Sequence, residues 1–400
     1  MRDVAQRPAV AAAGEWLRRH DSDVLAWQRA VAAIPAPTGA ESARAAFVAE
    51  RLAEVGLAGV RRDAAGNVLA TLGAGSGVGV VLAAHLDTVF AADVEHRVLE
   101  ADGRLVGPGV TDNSRGLAAL LALACALRAA GMAPPRPLTF VATTGEEGAG
   151  DLEGARFLFE DPAFRPDAFV AVDGAGAEKV VHRALGSRRL RAVFRGPGGH
   201  SWAAFGVANP AHAVGLATAR IAALPLPAGE RSAASVVRIG GGSGLNSIPG
   251  EAWLDLDLRS ESGSALDALH AGARRALEAA LEAANRQRAP GTAPLALEIV
   301  PLGTRPSGAT SPSHPLVRIA LAATRAIGRT AELGSASTDA SVAIARGVPA
   351  IALGAGGRGG DPHLASEWYD NAGGPEGLYR LLLVVLAAAE WAAGAPADQR

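Results

Sequence analysis

The chain of 400 residues carries one cysteine, one lysine and few aromatic side chains, which make up 4% of it. The single cysteine, Cys125, excludes an intrachain disulfide and a thiolate metal cluster; inside the apolar run Leu117–Leu127 it reads as a small core residue. Scarce lysine does not leave the chain acidic, because arginine supplies the positive charge: 38 Lys and Arg stand against 40 Asp and Glu, a formal net charge of -2. That balance excludes a broad surface for nucleic acid or acidic lipid. Long apolar runs are missing too. Ala9–Ala13 is too short for a secretory signal core, and Leu381–Ala389, bounded by Arg380 and Glu390, has roughly half of the ~20 residues that a membrane span needs. A cytoplasmic protein with no membrane or nucleic-acid partner is expected. No Walker loop and no Gly-x-Ser-x-Gly elbow occurs. The run Gly354–Gly359 satisfies Gly-x-Gly-x-x-Gly, but Asp361-Pro362 follows where a dinucleotide fold places a helix, so that reading is rejected.

What the chain does hold is apolar material, 49% of residues, which at this length suffices for two cores. In its first part short apolar segments alternate with helical ones. Val78–Ala84, Leu138–Thr143 and Phe169–Val172 read as buried strands. Glu41–Val55 reads as an amphipathic helix, and Ser114–Ala130 as another, with Asp112, Asn113 or Ser114 as its N-cap and Gly131 as its stop. The alternation predicts an α/β layer on a mainly parallel sheet. The pattern then changes to strand Ser187–Arg195, helix Pro210–Leu224, strands Ala233–Ile239 and Glu251–Arg259, helix Ala265–Asn285 and strand Leu295–Val300. That βαββαβ order is a ferredoxin-like unit. After Pro301 the α/β style resumes with helix His314–Ile327, strand Pro349–Leu353 and helix Pro375–Ala393. The organisation expected is one α/β domain, residues 1–184 and 301–400, interrupted by an inserted domain at 185–300.

Ligands of open α/β sheets gather beyond the carboxyl ends of strands, and metal-binding residue types fall there. The first strand runs into Ala84-His85-Leu86-Asp87. Residues two apart in extended chain face the same way, so His85 can ligate a metal while Asp87 fixes its imidazole from behind. Asp112, before the helix at Ser114, is open to two readings, a cap or a ligand. The second strand empties into Thr144-Gly-Glu146-Glu147-Gly148. Adjacent carboxylates repel each other; one on a metal and one on a metal-bound water would use both. The third strand ends in Val172-Asp173, and His363 stands in Asp361-Pro-His-Leu. Two imidazoles and several carboxylates without a thiolate suit two divalent ions sharing one carboxylate. Such ions, ~3.5–4 Å apart, polarise a carbonyl and acidify the water between them, which is hydrolytic chemistry.

Together, Ala84-His-Leu-Asp87, Gly109-Val-Thr-Asp112-Asn, Thr144-Gly-Glu-Glu147, Val172-Asp173, Gly198-Gly-His200-Ser and His363 resemble a known set of motifs in order and spacing. The chain resembles the co-catalytic zinc aminopeptidase/carboxypeptidase family that includes peptidase T, carboxypeptidase G, aminoacylase and succinyl-diaminopimelate desuccinylase. The likeness runs from Ile34-Pro-Ala-Pro-Thr-Gly to the final helix. It implies two zinc ions, with cobalt or manganese as alternatives, bridged by Asp112. His85 and Asp173 would complete one site, and Glu147 and His363 the other. Asp87 would orient His85, and Glu146 would be the general base that moves a proton from the bridging hydroxide's parent water to the leaving amine. The inserted domain would be a lid and dimerisation domain, its His200 reaching across a homodimer to steady the oxyanion. Asn246 and Arg259 would hold the substrate backbone and carboxylate. Without the resemblance His200 is a plain loop histidine, and Arg259 is equally able to pair with Asp255 or Asp257.

The chain departs from the family's Asp-x-Lys-Gly form, since Asp112-Asn-Ser-Arg-Gly116 stands there. Ser335-Ala-Ser-Thr-Asp339-Ala resembles a family motif near the active site, with a structural or substrate-shaping role. The implied activity is hydrolysis of an amide bond in a small peptide. N-acyl-amino-acid deacylation is the alternative within the family; an inactive metal-binding or interaction protein is the alternative outside it. An inactive relative has no reason to keep Glu146 together with every ligand.

Overall fold

Four apolar strands, Leu138–Thr143, Val80–His85, Ala168–Val172 and Ala350–Leu353, lie side by side and parallel. Each is buried along its whole length, which is why each reads as an unbroken apolar run instead of an alternating one. The computed structural model describes residues 1–73, 75, 77–229 and 231–395, and the chain divides into two compact units. The first, Met1–Ala184 with Ala309–Arg400, is built on these strands. Antiparallel strands extend the sheet at both sides, Val68–Leu72 beside Leu138–Thr143 and Lys179–Ala184 beside Ala350–Leu353. Parallel neighbours bring their carboxyl ends to one edge of the sheet, so the segments after His85, Thr143 and Val172 emerge together.

The helix Ser114–Ala129 is buried on nearly every side, as expected of a helix that is apolar all round. Cys125 in it is half-buried, and burial pushes its thiol up to about 11. Gly116 is required in its first turn, because a Cβ there would lie 2.7 Å from the carbonyl oxygen of Val172. The last helix, Gly374–Gly394, is long and apolar enough by length and composition to cross a membrane, a longer apolar element than the run Leu381–Ala389 suggests. Its residues Leu378 to Val385 instead supply much of the core of this unit. Among the elements that escape the sequence reading are the N-terminal helices Pro8–Arg19 and Asp21–Ala32, the strands Val68–Leu72 and Lys179–Ala184, and a small sheet of three-residue strands that includes Arg104–Val106 and Trp368–Asp370. Strands so short carry no readable period.

The second unit, Leu185–Gly308, has the order Gly186–Arg195, Pro210–Ala222, Ser232–Gly241, Glu251–Ser260, Gly263–Arg286 and Ala296–Arg305. Its four strands are antiparallel throughout, with the first and third at the centre, which is the ferredoxin-like arrangement. Leu254, Leu256 and Leu258 face its core with Leu190, Phe194 and Leu277. The unit ends at Gly308 instead of residue 300. Pro301 marks no boundary: it lies inside the last strand, an edge strand with an irregular register between Pro301 and Gly303, and edges and bulges tolerate proline.

Candidate metal centre

His85 ends its strand 3% exposed. Its Nδ1 lies 3.0 Å from the carbonyl oxygen of Asp87 and 3.4 Å from that residue's Oδ1, while its Nε2 lies 3.0 Å from Asp112 Oδ1. A proton on Nδ1, donated to the Asp87 carbonyl, leaves Nε2 as the free donor atom of the ring. Asp87 itself has a wider task than steadying His85. Its Oδ1 accepts the backbone N–H of Glu146 and its Oδ2 that of Glu147, both at 2.9 Å, and Thr38 donates to Oδ2 at 2.8 Å. Burial alone would raise the Asp87 pKa, but His85 and these donors bring it below the usual carboxylate value.

Asp112 is not the helix cap. Asn113 takes that duty, its Oδ1 accepting the N–H of Gly116 at 3.1 Å, and Asp112 is left facing the cluster. The carboxylate divides its oxygens between two imidazoles: Oδ1 faces His85 Nε2, and Oδ2 lies 3.2 Å from His363 Nε2. Glu147 Oε1 lies 3.1 Å from the same His363 nitrogen. Donor atoms fall within 4.8 Å of one another in the groups His85–Asp112–Asp173 and Asp112–Glu147–His363, which share Asp112, and also in His85–Glu146–Glu147. All five residues expected to hold metal are therefore in one place, with Glu146 and Asp87 beside them.

The electrostatics of this cluster ask for cations. Loss of water, and then the Asp112 charge, push Asp173 up to about 7. Hydrogen bonds to Asp112 and Glu147 push His363 up to about 10. Burial opposes the His85 imidazolium, yet Asp112 and Asp87 hold its pKa well above the ordinary value. Without other cations the carboxylates make the histidines serve as counter-ions. Two nitrogen and three carboxylate donors with one shared carboxylate fit a pair of divalent ions.

Three supporting residues have no signature in the sequence. Glu367, fully buried, accepts the N–H groups of Thr111 and Asp112 on Oε1, both at 2.7 Å, and that of Gly109 on Oε2 at 3.3 Å. Loss of water pushes its pKa up to about 7 against the pull of those donors. Arg44, also fully buried, donates to the carbonyls of Leu86 at 2.8 Å and Ile34 at 2.6 Å. Glu41 Oε1 takes the N–H groups of Gly39 and Gly145. Each holds the main chain on which a candidate ligand stands. Arg115, in the departure after Asp112, is buried and structural: it donates to the Ala355 carbonyl at 3.0 Å and lies over the Tyr369 ring. Asp339 is buried and accepts from Thr143 Oγ1 at 2.5 Å.

In the second unit His200 and Asn246 come together. A short ladder pairs His200 with Ser247, and the Ser201 N–H donates to the Asn246 carbonyl at 2.8 Å. Both residues are exposed. Arg259 lies at the other end of its strand from Glu251, where the loop carrying Asn246 joins, roughly 25 Å away at ~3.3 Å per residue. Its Nε donates to Asp257 Oδ2 at 2.9 Å, while Asp255 is taken by Arg191 and Arg238.

The family model for peptidase family M20/M25/M40 matches residues 81–389. A tripeptidase of Staphylococcus aureus superposes with a TM-score of 0.75 at 21% identity, covering 92% of this chain and 98% of that one. The YxeP protein of Bacillus subtilis, a dinuclear metal-binding peptidase, superposes with a TM-score of 0.67 at 15% identity, covering 93% and 99%. At such identities the likeness speaks for the fold. The uncharacterized protein YgeY of Escherichia coli strain K12 is 25% identical over 167 residues, so the match spans 40% of this chain and only 40% of that relative. The matched residues run from the strand that carries His85 past His363 and take in the inserted unit, and the chain belongs to peptidase family M20/M25/M40, a family of hydrolytic, metal-binding enzymes.

Proposed function

We propose that this enzyme cleaves an amide bond in a small peptide, using two divalent ions, with zinc as the first choice, and Glu146 as the carrier of the proton. The observation that carries the reading is the Asp112 carboxylate, whose oxygens face His85 and His363, one each. In this reading His85, Asp112 and Asp173 hold one ion, and Asp112, Glu147 and His363 hold the other. When bound, such ions supply a polarised carbonyl and a water acidic enough to attack it.

The rest is the work of the chain. Asp87 sets the two neighbouring glutamates by taking both of their backbone N–H groups. Glu147 turns to His363, and Glu146, 4% exposed, has the task of accepting the proton of the attacking water. As the C–N bond breaks, Glu146 returns that proton to the nitrogen, so a neutral amine departs and the carboxylate is regenerated. His200 belongs in this scheme as a donor to the oxyanion of a partner's site in a homodimer formed through the inserted unit, with Asn246 beside it on the substrate backbone. Exposed Val237 and Ile239 on the edge strand Ser232–Gly241 support such a contact. Arg259 would have to leave Asp257 before it could hold a carboxylate.

The test is metal-free enzyme reloaded with zinc, cobalt or manganese and assayed on dipeptides, tripeptides and N-acetyl amino acids. Turnover of peptides supports the reading; turnover of N-acetyl amino acids alone makes the enzyme a deacylase; none at all sinks the hydrolysis. Glu146→Gln should keep two ions per chain while kcat falls by about 10³-fold or more. Loss of an ion with the activity would instead make Glu146 a ligand, as its grouping with His85 and Glu147 allows.

A further inference from the structure

A cavity of about 390 Å³ adjoins the candidate metal centre, lined by Asp112 and Pro362 and by two glycine-rich turns. The turns follow the parallel neighbours Ala168–Val172 and Ala350–Leu353. They are tied to each other by reciprocal backbone hydrogen bonds between Gly176 and Gly356, at 3.2 and 3.0 Å. Gly174 and Gly176 on one side and Gly357 and Gly359 on the other give the cavity walls of bare main chain. Space beside Asp112 is thus left for something other than this chain's own side chains.

Charge identifies what that is. Four charged residues line the cavity: Asp112, Glu178, Glu367 and Arg358. The three carboxylates are engaged. Asp112 faces the histidines, Glu367 takes backbone N–H groups, and Glu178 accepts from Ala177 at 2.9 Å and lies 3.4 Å from Arg329. Arg358, exposed on the short strand Arg358–Gly360, is the one cation of the lining, and its guanidinium has no hydrogen bond or ion pair among the described residues. Arg259, the other candidate for an anion, is already bonded to Asp257. An anionic ligand entering among three carboxylates needs a free cation, and a guanidinium fork matches a carboxylate in shape as well as charge.

We infer that this cavity is a substrate subsite in which Arg358 binds a carboxylate of the peptide. The inference rests on the proposed amide hydrolysis and adds the substrate class, a peptide carrying its negative charge on an acidic side chain or at a free C-terminus.

Gly-Glu, Gly-Gln and Gly-Gln amide separate the two sources: the first pair isolates the side-chain carboxylate, the second pair the terminal one. For metal-loaded wild type, KM should be lower for the member of a pair that carries the recognised carboxylate. Arg358→Gln should shrink that KM ratio by about 10- to 100-fold, the loss of one charge-assisted pair, with kcat far less affected. Arg358→Lys, which keeps charge without the fork, should fall between. Because the side chain is exposed, thermal unfolding of the variants should match wild type. A ratio that stays the same in Arg358→Gln for both pairs overturns the inference. If wild type turns over none of the three, the hydrolysis is what has failed, and direct titration of Gly-Glu into loaded wild type and Arg358→Gln decides the subsite alone. Weaker binding to the variant upholds it, and equal binding overturns it.

Discussion

Loading the metal centre should expel protons, and the count follows from the side chains that meet there. Metal ligands bind as neutral imidazole and ionised carboxylate. In the metal-free cluster His363 is pushed up to about 10 and His85 well above its ordinary value, so both are imidazolium at pH 7, while Asp173, at about 7, is half protonated. Filling both sites at pH 7 therefore releases between about two and three protons, rising to near three at pH 6 as Asp173 takes up its proton. Since protons compete with the ions, the overall affinity for the pair should fall roughly 100- to 1000-fold from pH 7 to 6. Calorimetric titration with zinc in buffers of different ionisation enthalpy counts the protons directly. One proton or none would mean that His85 and His363 are not both imidazolium in the metal-free cluster, and the reading of the histidines as counter-ions would fall. The same groups give the metal-free protein a definite pH trend. Asp173 is raised from 3.8 and His363 from 6.5, so the folded state binds the extra protons and stability falls as pH rises through these ranges. The gap in Tm between loaded and metal-free protein should accordingly widen from pH 6 to 9.

Asp87→Asn keeps one acceptor oxygen but turns an NH₂ toward the N–H of Glu146 or Glu147, so metal affinity should drop by about 10- to 100-fold in competition with a chelating dye. Unaltered affinity would show that the glutamate pair needs no such anchor. Glu367→Ala leaves three backbone N–H groups around Asp112 buried and unmet; stability to urea should fall by about 3–5 kcal/mol. Glu367→Gln, which keeps an oxygen for two of the three, should lose about 1–3 kcal/mol. An Ala variant as stable as wild type would rule out the clamp.

The ligands were legible because of where parallel strands put them. A strand buried on both faces announces itself as an apolar run, and the first polar residues after it sit at the sheet's open edge, as His85 and Asp173 do. Asp112 was not decidable in that way, since an acid ahead of a helix serves equally as cap or ligand. Its freedom depends on Asn113, whose side chain closes the helix in its place. Bonds to the main chain leave no trace at all. Glu367 reaches back to residues 109–112 and Arg44 forward to Leu86, and neither spacing nor residue type records which carbonyl or N–H a side chain will meet. Pro301 misleads for a related reason: proline ends a central strand, and only the finished sheet reveals that this strand lies at an edge. Cavities are the extreme case. The glycines around Arg358 invite only a dinucleotide motif that is rejected, yet their lack of side chains leaves the space beside Asp112, and that space gives an ordinary exposed arginine something to do. Chemistry at a strand end can be read along the chain, whereas the groups that hold it still, and the hollow beside it, exist only once distant segments have met.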